Sequence, residues 1–144
     1  MVPVPLVRLD PGVAAPAYAR PGDAGADLVA REDVLLAAAG GRAVVGTGVA
    51  VALPTGYAGF VVPRSGLALR HGVTCLNAPG LIDSGYRGEV KMLLVNTDPN
   101  DDYQVRRGDR IGQLVVLAVE QASFVVGADL PGDGRGGGFG STGV

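Results

Sequence analysis

A chain of 144 residues is the size of one domain, and its single cysteine, Cys75, excludes an intramolecular disulfide and a cysteine cluster for a metal. A net charge of −2 with no basic tail or stripe speaks against nonspecific nucleic-acid binding. No apolar run approaches the roughly 20 residues of a membrane span, and Met1-Val2-Pro3-Val4-Pro5 lacks a charged leader with a long apolar core, so a soluble, cytoplasmic protein is expected.

Aromatics make up only 5% of the chain and Gly contributes 24 residues, which favours short strands and tight turns over long helices. Residues 4–9 read as a first strand, followed by a Pro/Ala-rich loop to about Gly22. Short strands are predicted over 27–30 and 34–37, and Gly40-Gly41 marks a turn. The Val-rich segment 43–53 is the longest strand candidate. Pro54-Thr55-Gly56 signals a turn before a strand at 57–62. The segment 65–71 is the one helix candidate, with His71 helping to end it before Gly72. Strands follow at 73–77, 89–96, 103–105 and 109–120, and a last one near 123–126. Turn signals recur at the roughly 8–12-residue spacing of sandwiches and barrels, and no βαβ alternation occurs. The prediction is an all-β domain of jelly-roll type over residues 1–130, with one short helix.

Residues 131–144 differ. With one large apolar side chain among glycines they cannot build a core. They read either as a disordered end or as a flexible arm in which Arg135 meets an anion and Phe139 a flat ring.

Several segments imitate known motifs. Asp98-Pro99-Asn100-Asp101-Asp102 starts like a calcium loop, but position six is Tyr103 and position twelve Asp109, where Gly and Glu are needed. It reads as a polar turn. The Gly-rich tail lacks the Gly-Lys-Ser/Thr ending of a phosphate loop. No Gly-x-Ser-x-Gly elbow accompanies the lone His71, so a Ser/His/Asp hydrolase is poorly supported.

Four segments carry more. Gly80-Leu81-Ile82-Asp83-Ser84-Gly85-Tyr86-Arg87-Gly88-Glu89 sets an acid, an aromatic and turn-forming glycines in a hairpin-like stretch between two apolar runs. Such a hairpin wraps closely around a small ligand. Pro63-Arg64-Ser65-Gly66-Leu67-Ala68 lies where a strand meets the short helix. Ser65 is a candidate helix cap, while Arg64, Ser65 and Gly66 together read as a phosphate cradle. Asp27 in Asp23-Ala24-Gly25-Ala26-Asp27-Leu28 is a turn acid or, near phosphates, a holder of magnesium through water. In Arg107-Gly108-Asp109-Arg110-Ile111-Gly112-Gln113-Leu114, strand alternation puts Gln113 on the buried face of Ile111 and Val115, where it needs either a core partner or a ligand phosphate.

Taken together, these residues resemble the trimeric deoxyuridine triphosphate nucleotidohydrolases (dUTPases). The family's five segments occur in order, the fifth being Arg135-Gly136-Gly137-Gly138-Phe139-Gly140-Ser141-Thr142-Gly143. The resemblance covers nearly the whole chain. It implies a jelly-roll subunit, a homotrimer with shared active sites, and conversion of dUTP and water to dUMP and pyrophosphate with magnesium. Such an activity limits uracil in DNA and supplies dUMP. Asp83 would orient and activate the attacking water and contact the sugar 3′-hydroxyl. Tyr86 would pack beneath the deoxyribose and leave no room for a 2′-hydroxyl. Asn77 and the hairpin backbone at Gly80, Leu81 and Ile82, near Lys91, would read uracil. Arg64, Ser65, Gly66 and Gln113 would hold phosphates, and Asp27 the water shell of Mg2+. Arg135 would clamp the γ-phosphate, with Phe139 and Gly140 over the base.

Two departures stand out. Gly112 replaces the family's usual Ala, a change expected to be nearly neutral. Arg135 and Phe139 are separated by three glycines where the family has four residues, so Arg135 is expected to reach phosphate less well. A dCTP deaminase shares the fold but needs a further acid, for which Glu89 is the one candidate near the hairpin. A non-catalytic nucleotide sensor does not call for Asp83, and a plain structural jelly roll explains neither cradle nor tail.

Overall fold

The structure is a computed structural model that describes residues 1–132 and 134. Its elements in chain order are β1 (Leu6–Arg8), β2 (Gly25–Val29), β3 (Val34–Leu36), β4 (Arg42–Val51), β5 (Tyr57–Val62), α1 (Ser65–His71), β6 (Val73–Cys75), β7 (Gly80–Ile82), β8 (Glu89–Asn96), β9 (Tyr103–Val105) and β10 (Arg110–Ala118). The strands form two four-stranded sheets, ordered β1-β4-β8-β6 and β2-β10-β5-β7, and a two-stranded ribbon of β3 and β9. Every pairing is antiparallel. The sheets are open and hold one core between them, the arrangement expected of a jelly-roll-like β fold.

Period-two patterning builds that core. Along β8, Val90, Met92 and Leu94 point inward while Lys91 and Leu93 face out. They pack with Val45 and Val49 of β4, Val61 of β5, and Ile111 and Leu114 of β10. Helix α1 contributes Leu67 and leaves Leu69 exposed. It ends where Gly72 turns left-handed at φ 62° and its amide meets the Ala68 carbonyl at 3.1 Å, with Arg70 and His71 in the last turn. At its start Arg64 occupies the cap position in extended conformation and no side chain caps the helix. Ser65 is the first helical residue, so the expected serine cap does not form.

The segment 80–89 is not a simple hairpin between its neighbours. Strand β6 pairs with β8, whereas β7 crosses to the other sheet and pairs with β5, with Val61 opposite Gly80. The chain therefore bridges the two sheets at this point. In β10 a register shift between Arg110 and Gly112 interrupts the alternation. Ile111 and Gly112 are both buried, and beyond them Leu114 points inward. Gln113 thus lies half-buried on the opposite face from the one the alternation predicted. Gly112 is not a neutral substitution for Ala either. A Cβ built there would overlap Sδ and Cε of the fully buried Met92 and lie 3.0 Å from the Val62 carbonyl. No strand forms at 123–126, where Phe124, Val125 and Val126 are exposed. Pro131, Gly132 and Gly134 carry no regular structure.

Candidate active site

The bridge between the sheets encloses a cavity of about 310 Å3. Asn77, Gly80, Leu81, Ile82, Asp83, Tyr86 and Lys91 all line it. The segment comes to this shape through local contacts. The Ala78–Pro79 peptide is cis and turns the chain from β6 into β7. The Tyr86 amide donates to the Asp83 carbonyl at 3.0 Å. Arg87 Nη1 donates to the carbonyls of Ser84 at 2.7 Å and Tyr86 at 2.8 Å, which closes the loop. The Tyr86 hydroxyl donates to the Glu89 carbonyl at 2.9 Å, and Gly88 leaves room for the ring, since a Cβ there would lie 2.7 Å from its Cζ. Asp83 is exposed at the cavity, where its carboxylate reaches water.

Glu89 also lines the cavity, yet its carboxylate is engaged elsewhere. Oε1 accepts from Arg31 Nη1 and from the Gly48 amide, both at 2.9 Å, and Lys91 Nζ stands 4.0 Å from Oε2. Burial pushes the Glu89 carboxyl up, but the Gly48 amide and the Arg31 guanidinium outweigh it and hold the group below the usual range. Its Oε1 is thus held by Arg31 and the Gly48 amide and not offered to the cavity, which argues against Glu89 as the further acid of the deaminase alternative.

A second group lies on the sheet of β2, β10 and β5. Asp27, Gln113 and Val62 face one another across three strands, half-buried on the outer side. Arg110 Nη1 donates to Asp27 Oδ2 at 3.2 Å, and Arg64 Nε lies 3.3 Å from Oδ1. That second contact lacks hydrogen-bond geometry, so Oδ1 is buried with no hydrogen-bond partner among the described residues. Arg64 Nη1 also donates to the Arg110 carbonyl at 3.4 Å, and Arg70 covers Gly66, where a Cβ would lie 3.0 Å from its Nη2. Three arginines therefore surround the predicted cradle, and two of them, Arg70 and Arg110, were not assigned from sequence.

The structure does not merge the two groups. The cavity reaches Val61 and Gly80 on the inner side of the sheet, and none of Asp27, Arg64, Ser65, Gly66 and Gln113 lines it. Arg135, Phe139 and Gly140 lie outside the described residues. Sequence reasoning also missed Cys75, Val44 and Leu93 as lining residues. Cys75 ends β6 two residues before Asn77 in the following turn, and that nearness in the chain is the signal for it.

Two open antiparallel sheets, a bridging-segment cavity and an arginine–carboxylate cluster define a jelly-roll-like β protein with a cavity between its sheets and an arginine-lined outer surface. The dUTPase family model matches residues 12–143. The chain is 60% identical over 143 residues to the deoxyuridine 5′-triphosphate nucleotidohydrolase of Thermobifida fusca, covering 99% of this chain and 79% of that one. It is 61% identical over 132 residues to the protein of the same name from Cutibacterium acnes, covering 91% and 86%. Among solved structures, the Staphylococcus bacteriophage 80alpha dUTPase with dUpNHpp superposes with a TM-score of 0.90 at 25% identity over 100% of both chains. A mutant dUTPase from phage phi11 of S. aureus, described for its coordination of a structural Mg(II) ion, matches the fold with a TM-score of 0.82 at 24% identity over 89% and 98%. This chain belongs to the dUTPase family.

Proposed function

We propose that the chain hydrolyses dUTP to dUMP and pyrophosphate in the cytoplasm, limiting uracil in DNA and supplying dUMP for dTMP synthesis. The observation that carries this reading is the cavity that gathers Asn77, Gly80, Leu81, Ile82, Asp83 and Tyr86 around one nucleoside-sized space. Asn77 and the β7 backbone read uracil, because an unmatched buried polar group costs about 1–3 kcal/mol. The Tyr86 ring packs beneath the deoxyribose and rejects a 2′-hydroxyl. The Asp83 carboxylate accepts a proton from the water that attacks the α-phosphorus. Arg64, Ser65, Gly66 and Gln113 bind the phosphates by charge and hydrogen bonding.

A homotrimer with shared sites is part of the proposal. Two observations support it: the phosphate-binding group and the cavity are separate within one chain, and Phe124, Val125 and Val126 are left exposed. Arg135, Phe139 and Gly140 join the reading by resemblance alone.

Magnesium fits in one manner. Among the described residues no three His, Cys, Asp or Glu side chains are grouped to ligate it directly. Asp27 offers a buried oxygen without a hydrogen-bond partner among the described residues, and it would hold water of the ion's shell. When bound there, the ion would supply positive charge against the triphosphate.

Product analysis with magnesium, for dUTP, dCTP, dTTP and UTP in parallel, tests the function. Release of dUMP and pyrophosphate from dUTP alone, lost in Asp83→Ala, is expected. Deamination of dCTP would instead make the protein a deaminase.

A further inference from the structure

Cys75 ends β6, is 4% exposed and lines the nucleoside cavity beside Asn77. Its Sγ lies 3.2 Å from Asn77 Oδ1. An amide oxygen carries no proton, so the thiol is the donor. Burial pushes the Cys75 thiol up against the opposing pull of the Asn77 and Leu93 amides, and it stays protonated at neutral pH. Asn77 itself is exposed in the turn, and the thiol is the partner that holds its carboxamide among the described residues. A free carboxamide presents either its oxygen or its NH2 to a ligand. Here the oxygen is turned to Cys75 and the NH2 toward the cavity-lining Gly80. A Cβ built at Gly80 would lie 3.3 Å from Nδ2 and 3.8 Å from Oδ1.

We propose that Cys75 is a positioning residue for base selection: its thiol hydrogen fixes the Asn77 carboxamide so that the NH2 group meets a pyrimidine carrying oxygen, not an amino group, at C4. The proposal deepens the dUTP reading and rests on it. Uracil presents an acceptor at C4. Cytosine presents a second donor there, leaving two donors face to face and neither paired with the other.

The test uses the full chain with magnesium. Cys75→Ala and Cys75→Val remove the donor, Val with less loss of volume, and Cys75→Ser keeps an O–H. In the Ala and Val variants KM for dUTP is expected to rise about threefold to tenfold with kcat within about twofold. Discrimination against dCTP, read from its inhibition constant, falls by a similar factor, and Ser stays within about threefold of the parent. In an Asn77→Ala background, Cys75→Ala adds nothing further. A Cys75→Val protein that melts like the parent and keeps its dUTP KM and dCTP discrimination would overturn the proposal, as would an undiminished Cys75→Ala effect in the Asn77→Ala background. The Asn77 side-chain NH2 resonances report the fixed carboxamide without nucleotide. They are expected to stay distinct in Cys75→Ser and to merge with those of exposed amides in Cys75→Ala. Unchanged resonances in Cys75→Ala count against the proposal. If the unaltered protein turns over no dUTP, the dUTP reading fails, and these resonances still decide whether Cys75 orients Asn77.

Discussion

Arg31, in the bend after β2, and Glu89, the first residue of β8, meet at 2.9 Å over the irregular stretch of β4 between Gly46 and Ala50. The Arg31 amide donates to the Gly46 carbonyl at 2.9 Å, and Glu89 satisfies the Gly48 amide. The pair therefore closes a gap in the β4–β8 ladder that would leave backbone groups unpaired. Because Glu89 is held below the usual carboxylate range, its contribution is present above the unfolded-state pKa and is lost as pH falls through the folded one. Denaturant melts are expected to weaken below about pH 5, with a shallower slope in Glu89→Gln. At neutral pH Glu89→Ala is expected to cost about 1–3 kcal/mol. Identical acid slopes in parent and Glu89→Gln would remove Glu89 from the account.

Gly88 is the clearance for the Tyr86 ring. Gly88→Ala forces the ring aside, since its hydroxyl is anchored on the Glu89 carbonyl and its Cζ lies 2.7 Å from the new Cβ. A loss of roughly tenfold or more in kcat/KM for dUTP is expected, with weaker rejection of UTP. Competition assays with UTP check the second part: unaltered rejection would separate sugar selection from the position of Tyr86.

Arg64 lies outside the cavity, in the cluster with Asp27 and Arg110. Arg64→Ala is expected to weaken binding of a non-hydrolysable dUTP analogue by roughly tenfold to a hundredfold while leaving deoxyuridine binding unchanged. Titration calorimetry with both ligands separates the two, and equal losses would place Arg64 at the nucleoside instead.

Much of this architecture was legible in the sequence because it is local. The elements at 57–62, 65–71, 89–96 and 103–105 follow from apolar alternation and turn residues next to them. The cavity residues from Asn77 to Lys91 were legible for the same reason, whereas Val44 and Val61 reach the cavity from strands distant in the chain. What depends on pairing partners was not. The transfer of β7 to the second sheet is fixed by β5, distant in the chain, and the bulge before Gly112 reversed the face assigned to Gln113. At 123–126, β-prone residues have no strand beside them among the described residues, and propensity alone does not make a strand.

Gly112 and Met92 share one space in the core. Gly112→Ala alone is expected to lower stability by about 1–3 kcal/mol, because the buried Met92 must leave its position. Met92→Val alone is expected to cost about 1–2 kcal/mol by opening a void. Together the two should restore most of the loss, a coupling that thermal melts of the four proteins measure directly. Additive losses would show that Gly112 and Met92 do not compete for one space, and no loss in Gly112→Ala that Met92 moves freely.

That shared space constrains how the sequence can drift. A change from glycine to alanine at position 112 is expected to pass through a weakened intermediate whichever residue changes first. If the melts show that coupling, the two positions are expected to change together. A residue copied singly from a relative into either position, however conservative it looks in an alignment, arrives without the neighbour that makes room for it.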